Sequence, residues 1–263
     1  MAEPQYKYSG LVAETWDLFR GDTSKWEDRF FYREVIERYG QPVLDVGCGT
    51  GRLLLDFLSE GIDMDGVDNS PEMLLICREK AEKLGLRPNL YEQWMHLLDL
   101  PRKYMTVLVP SSSFQLLTDR DEARAAIRRF YEHLLSGGAL VMPFMRIYEG
   151  DATEGIVTED WRLLRQKERP NKGDLVRHHT RSIYDLDEHL EHTEDRFEVV
   201  KNGEVVYTEE HRQSPATRWY SHEEAIALYE EAGFTGIHLT SGFTFEPAKP
   251  DDHLVCAFGT RKS

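Results

Sequence analysis

Paired cysteines, long apolar runs and an excess of basic charge are all missing from this 263-residue chain. It has three cysteines, Cys48, Cys77 and Cys256, and no C-x-x-C pair. So few scattered thiols exclude a disulfide scaffold and offer no zinc-site spacing, and they fit a reducing compartment. No metal site is expected. The longest apolar stretch, near 139–145, falls far short of the ~18 residues a membrane helix needs. The opening residues, MAEPQYKYSG, lack an apolar core behind a basic end and do not read as a secretory signal. A cytoplasmic protein is the expectation. The 19 glycines and 11 prolines show no period, which excludes collagen-like and low-complexity readings. Lysine and arginine total 32 against 47 aspartates and glutamates, a net charge of −15. Such a surface repels polyanions, so neither nucleic acid nor an anionic membrane is expected as a partner, and a cationic small molecule is attracted.

What is present is ordinary globular composition, 40% apolar and 30% charged, enough for a sizeable core. The first half alternates helical and strand patterns. Residues 26–39 (WEDRFFYREVIERY) have helical spacing and stop at Gly40. VLDV at 43–46 is a buried strand, RLLLDFL at 52–58 a helix, and 63–67 a second strand ending at Asp68. Ser70 suits an N-cap and Pro71 the first helical turn of a helix ending near Gly85. Strands are expected at 89–93, 105–109 and 139–144, with a helix at 121–135 stopped by Ser136-Gly137-Gly138. Strands alternating with helices predict an α/β fold, a doubly wound parallel sheet covered on both faces. A ligand is expected at the carboxyl ends of the strands.

From 145 to 213 the helical period fades. Short β-like runs appear at 161–167, 175–184, 189–200 and 204–212. Asn171 and Gly173 punctuate one gap, and Asn202-Gly203 predicts a tight hairpin in the last. These runs read as an antiparallel insert of three or four strands. His178, Thr180, Ser182 and Tyr184 fall on one face of one strand, with Arg177, His179 and Arg181 on the other. Either the strand is solvated on both sides, or it roofs a polar pocket or makes a dimer contact. Ser221-x-x-Glu224 is a capping box that opens a helix closed by Gly233, and a final strand pair follows at 235–240 and 252–259. The expected domains are a helical lid at 1–40, a core at 41–144 and 214–263, and the insert at 145–213.

The strongest motif is VLDVGCGTGR at 43–52. Gly47, Gly49 and Gly51 follow a buried strand and precede a helix. Glycine there allows positive φ and lets a ligand lie against the main chain, and the helix N-terminus offers free N–H groups. A tight turn without a ligand is the plain alternative. Asp45 either orders the loop or accepts from a ligand ammonium through water. One βα unit later Asp68 ends the second strand, 17 residues past Gly51, near the place of a carboxylate that holds ribose hydroxyls. The repeat is shorter than the G-x-G-x-x-G of nicotinamide sites.

VLDVGCGTGRLLLDFL followed by GIDMDGVDNSPEML resembles the first two motifs of the class I S-adenosylmethionine-dependent methyltransferases, and YEQWMHLLDLP and VLVPSSSFQLLTD resemble the next two. The resemblance implies a Rossmann-like, seven-stranded, mostly parallel sheet with the antiparallel insert after strand five. It implies S-adenosylmethionine as cofactor and S-adenosylhomocysteine as product. Gly47, Gly49 and Gly51 would pass beside the methionine part with Asp45 near its ammonium. Asp68 would hold the ribose, and Asn69 and Met73 would flank the adenine. Family members often carry an acidic residue where Trp94 stands beside Met95. Trp94 then stacks near the base or Asp99 serves instead. Pro110 and Ser111 would lie under the transferred methyl. The run from Tyr8 to Trp16 resembles the family's tyrosine-rich lid.

For the acceptor, the aromatic Phe114, Trp219 and Tyr220 and the cationic Arg146 are candidates. A general base, needed only for an acceptor that arrives protonated or weakly acidic, is sought among His178, His179, His211 and Tyr220. The expected activity is in-line methyl transfer to a small-molecule N or O acceptor, by a monomer or a homodimer. The alternatives are a module that binds the cofactor or its product without turnover, and a nicotinamide oxidoreductase.

Overall fold

The computed structural model describes residues 8–170 and 172–262; the first seven residues, Asn171 and Ser263 lie outside the described residues. In chain order the elements are α1 (Gly10–Arg20), α2 (Glu27–Tyr39), β1 (Val43–Val46), α3 (Arg52–Ser59), β2 (Met64–Asp68), α4 (Pro71–Lys83) and β3 (Leu90–Glu92). Then come β4 (Tyr104–Leu108), α5 (Arg120–His133), β5 (Leu134–Met145), β6 (Ile156–Thr158), β7 (Arg162–Arg169), β8 (Asp174–Asp185) and β9 (Leu190–Lys201). The last are β10 (Glu204–Arg218), α6 (His222–Ala232), β11 (Thr235–Ser241) and β12 (Leu254–Thr260). They form two compact units: 23–146 with 220–262, and Tyr8–Asp22 with Ile147–Trp219.

The first unit is built on a seven-stranded sheet in the order β3-β2-β1-β4-β5-β12-β11. The pairs from β3 through β5 are parallel, and β12 runs antiparallel to both β5 and β11. Successive residues of each strand feed opposite cores, as the two-residue period of a strand requires. Leu44, Val107, Leu140 and Ala257 join Ile127 and Phe130 of α5 and Leu228 of α6. Val43, Leu108, Val141 and Phe258 join Phe31 and Val35 of α2, Leu54 of α3 and Leu74 of α4. This is the Rossmann-like, doubly wound sheet that the alternating pattern predicts. Strand order reverses between β1 and β4, so the loops after these two strands flank the switch point where such sheets bind ligands.

Local chemistry sets the element ends. Ser70 accepts from the Met73 N–H at 3.1 Å, and Pro71 opens α4. Ser221 and Glu224 form the reciprocal capping box of α6. One boundary differs from the sequence reading. Helix α5 ends at His133, and β5 starts at once and carries Ser136-Gly137-Gly138 inside the strand. Non-local bonds explain it: Gly137 N donates to Arg261 O at 3.0 Å, and Arg261 N to Gly138 O at 2.8 Å.

The second unit is an antiparallel sheet in the order β10-β9-β8-β6, with β7 also paired to β8. Asn202 and Gly203, at φ 53° and 83°, make the tight turn between β9 and β10. Strand β6 is three residues long, too short to carry a readable alternation, and β10 runs on past Arg212 through a break in register. Helix α1 packs Leu11, Val12 and Phe19 against Val176, Phe197 and Val199. Its N-terminus is held by Glu209, which accepts from the Leu11 N–H at 2.8 Å. Strand β8 is not solvated on both sides, because Val176, His178, Thr180, Ser182 and Tyr184 are all buried. No helix among the described residues is long and apolar enough to cross a membrane.

Candidate active site

Strand β1 delivers Gly47, Cys48 and Gly49 to the switch point. Gly47 N and Cys48 N both donate to Val67 O, at 2.8 and 3.0 Å, which pins the loop to β2. Gly47 is a site of close approach: a Cβ there would stand 2.9 Å from Ser113 Cβ and 3.4 Å from Met95 Cε. The loop after β1 therefore touches the segments after β3 and β4. Gly49 is different. Its φ is +55°, and a Cβ built on it meets nothing within 4 Å. Space beside a bare main chain is what a bound ligand fills. Gly51 starts α3 in the left-handed region, packed on Cys77 Sγ and Leu55.

Asp68 ties the loop to the next strand. Its Oδ2 accepts from the Gly49 N–H and its Oδ1 from the Ser70 N–H, each at 2.8 Å. Burial raises its pKa, against the lowering effect of the N–H groups of Ser70, Gly49 and Asn69. Each oxygen keeps a second lone pair, so the carboxylate can also accept from ligand hydroxyls. Asn69 lies between Asp68 and the Ser70 cap, and Met73 is buried in the first turn of α4.

Asp45 is buried in β1, and its Oδ1 has no hydrogen-bond partner. Burial pushes its pKa up to about 7; Asp68 and Asp28 add to the rise, while Arg52 and the Leu54 N–H oppose it. A buried acceptor with an unused lone pair fits an ammonium donor. With the cradle at Gly49 and the carboxylate at Asp68, the residues present suit an amino-acid-bearing nucleoside such as S-adenosylmethionine.

The raised value has a consequence for the unliganded protein. The unfolded carboxyl titrates near ~3.9, so the folded state binds the extra proton between about pH 4 and pH 7. The Asp45 contribution to stability is full below the unfolded value and is lost as pH rises through the folded one, a loss of order ~4 kcal/mol. Asp45→Asn is expected to raise stability relative to wild type at pH 8 and to lose that advantage at low pH. Denaturant unfolding of both proteins from pH 4 to pH 8 measures it.

Beyond β4, Pro110 is followed by Ser111 at φ +58°, a left-handed backbone that a non-glycine residue rarely adopts. Such strain persists where surrounding structure imposes it, often at functional sites. A short turn, Ser113–Leu116, follows. Gln115 within it is fully buried, donating to Met145 O and accepting from Met145 N at 2.9 Å each. Phe114 packs with Phe144 and Tyr220, ring centres 5.6 to 5.9 Å apart. Arg146, exposed, follows the end of β5. Trp94 precedes the turn Met95–Leu97. Gln93 bonds Asp99 N and O at 2.8 and 3.0 Å, fixing that loop with the Asp99 side chain exposed.

One unit carries Asp45, Gly47, Gly49, Gly51, Asp68, Asn69, Met73, Met95, Pro110 and Ser111. Trp16, His178, His179 and Trp219 lie in the other unit. There, Trp16 contacts Tyr8 and Arg20. His178 Nε2 bonds Asp195 at 2.7 Å, and its Nδ1 accepts from Arg165 at 3.3 Å. Burial pushes the Asp195 pKa up, but the bonds from His178, Thr180 and Thr193 outweigh it and the net shift is down. His179 faces Glu198 at 3.4 Å, His211 bonds Glu209 at 2.7 Å, and Trp219 stacks on His189.

Three features escaped the sequence reading. Ser113 abuts Gly47, and Gln115 clamps the end of β5. Arg52, at the start of α3, makes a two-pronged ion pair with the buried Asp28 of α2, with Nη1 to Oδ1 at 3.0 Å. That pair offsets the repulsion of a cation by a helix N-terminus.

The methyltransferase domain family matches residues 43–138, from β1 into β5. A protein of Geobacillus sp. (strain WCH70) designated a methyltransferase is 28% identical over 82% of this chain and 84% of its own. The glycine/sarcosine N-methyltransferase of Halorhodospira halochloris is 30% identical over 56% of this chain, which spans about half of that relative (55%). The crystal structure of a S-adenosylmethionine-dependent methyltransferase from Clostridium acetobutylicum ATCC 824 shares the fold, with a TM-score of 0.73 over 96% of this chain and 98% of that one at 18% identity. The chain is thus similar to the S-adenosylmethionine-dependent methyltransferases, by the family match over β1 to β5 and by its fold.

Proposed function

We propose that this methyltransferase N-methylates a small amine. The observation that carries the reading is the glycine loop after β1, bare at Gly49 and tied to Asp68, in a chain similar to an enzyme named for methylating glycine and sarcosine. The surface charge of −15 also favours a cationic acceptor over a polyanion.

S-Adenosylmethionine, when bound, supplies a methyl group on a sulfonium, open to displacement by a nucleophile on the far side. The chain's part is to hold and align. Asp45 accepts from the cofactor's ammonium, Asp68 from its ribose hydroxyls, and Asn69 and Met73 flank the base with Trp94 and Met95 beside them. Pro110 and Ser111, the latter with a left-handed backbone, would form the floor at the methyl. Fixing two reactants on one axis supplies much of the rate. The rings of Phe114 and Tyr220 present π faces that favour positive charge on the methylated product. Arg146 holds an acceptor carboxylate where there is one. An amine that arrives as a cation must first give up its proton to water or a base; the neutral form then offers its lone pair to the methyl.

The test is transfer of tritium from methyl-labelled cofactor to a panel of amines, phenols and carboxylic acids. Label is expected in amines with one-to-one release of S-adenosylhomocysteine. Label in phenols or carboxylates alone would overturn the choice of acceptor.

A further inference from the structure

Strand β10 is the edge of the insert sheet, paired on one side with β9. From Tyr207 to Gln213 it lies in unbroken register against Val199–Thr193, with breaks only beyond these limits. Its other side pairs with no strand among the described residues. Thr208, Glu210 and Arg212 are exposed on one face, and Glu209, His211 and Gln213 are half-buried on the other. Seven residues make roughly 24 Å of unpaired backbone at ~3.4 Å each. Natural sheets blunt such an edge with charged side chains, above all lysine, with proline or with a bulge. This stretch has no lysine, proline or bulge within it, its charges Glu209, Glu210 and Arg212 are of both signs, and Val205, Val206 and Tyr207 at its start are 48, 58 and 53% exposed.

The sequence of the edge says what pairs with it. Two copies meeting about a two-fold axis normal to the sheet keep their faces, so the antiparallel register centres on a residue. Centring on Glu210 sets glutamate against glutamate, and centring on Arg212 sets arginine against arginine. Centring on His211 sets Glu210 opposite the second copy's Arg212 and Arg212 opposite its Glu210, with Glu209 opposite Gln213. Opposite charges directly across a strand pair stabilise it, and like charges weaken it.

We infer that β10 is a self-complementary edge through which two copies of this chain join their insert sheets into one, in the register centred on His211. The partner is a second copy rather than a foreign peptide, because the charges of the strand match its own reverse.

Sedimentation velocity of the full chain, from 1 to 100 µM, tests it. Wild type is expected to dimerise in this range. Arg212→Glu and, separately, Glu210→Arg should each weaken the dimer roughly tenfold or more, because each sets two like-charged pairs face to face. The double variant Glu210→Arg with Arg212→Glu should restore it. Circular dichroism checks each fold, and either single variant serves if the other does not fold. A monomer at 100 µM, a dimer indifferent to both single changes, or a double variant that stays dissociated would each overturn the inference.

Discussion

Gly49→Val is expected to lower the affinity for S-adenosylhomocysteine at least a hundredfold while leaving a folded protein. Two costs are separate here, one of backbone and one of binding. A β-branched residue at φ +55° pays a backbone penalty of about 1–2 kcal/mol. For a domain of this size, each kcal/mol lowers the melting temperature by roughly 2–4 °C. Apart from the adjoining Cys48 and Thr50, no atom of the described residues lies within 4 Å of the new Cβ, so no clash at that atom adds to the penalty. The isopropyl group instead fills the space assigned to the cofactor. Gly49→Ala should fall between. Gly47 is the contrast: a side chain there meets Ser113 Cβ at 2.9 Å, so its replacement should cost stability first. Calorimetric binding and thermal melts on the same samples resolve the two. If Gly49→Val kept wild-type affinity, the loop would be a turn and nothing more.

Asp68→Ala is expected to lose both affinity and stability. The carboxylate takes the N–H of Gly49 and the N–H of Ser70, so its removal strands two donors in a largely buried place. Stranded buried donors cost about 1–3 kcal/mol each. Loss of the ribose acceptor and loosening of Gly49 together should weaken S-adenosylhomocysteine at least a hundredfold. Asp68→Asn keeps one carbonyl acceptor and should recover part of the stability and little of the affinity. Chemical denaturation beside calorimetry gives both numbers. An alanine variant that binds as well as wild type would remove Asp68 from the site.

The parts of the fold that could be read from sequence are those fixed by neighbours in the chain. Ser70-Pro71 caps α4, Asn202-Gly203 turns the last hairpin, and Ser221 with Glu224 opens α6, each within a few residues. The positions of the glycines after β1 and of the acid ending β2 are legible for the same reason, because backbone conformation and strand ends set them. What stayed hidden depends on distant partners. Ser136-Gly137-Gly138 looks like a helix stop until Arg261 pairs with it. Strand β6 exists because β8 offers it an edge. Helix α1 rests on Val176, Phe197 and Val199, more than 150 positions away in sequence. In the site, Gly47 against Ser113, Gln115 on Met145 and Arg52 on Asp28 join residues far apart in the chain, and no local pattern announces them.

The polar face of β8 shows a subtler limit. Alternation assigned His178, Thr180 and Ser182 to one side, but burial was not readable from such residues. The structure buries them by satisfying them, with His178 on Asp195 and Ser182 on Glu191 at 3.0 Å. Buried polar groups are tolerated when they are bonded.

The central claim is that the bare loop at Gly49, Asp45 and Asp68 together hold one molecule of the cofactor. Isothermal titration of the purified full chain with S-adenosylhomocysteine tests it most directly. The account predicts one site per chain and, at a hundredfold excess over the dissociation constant, about 2.7 kcal/mol of added stability. No heat of binding and no rise in melting temperature at millimolar ligand would contradict it.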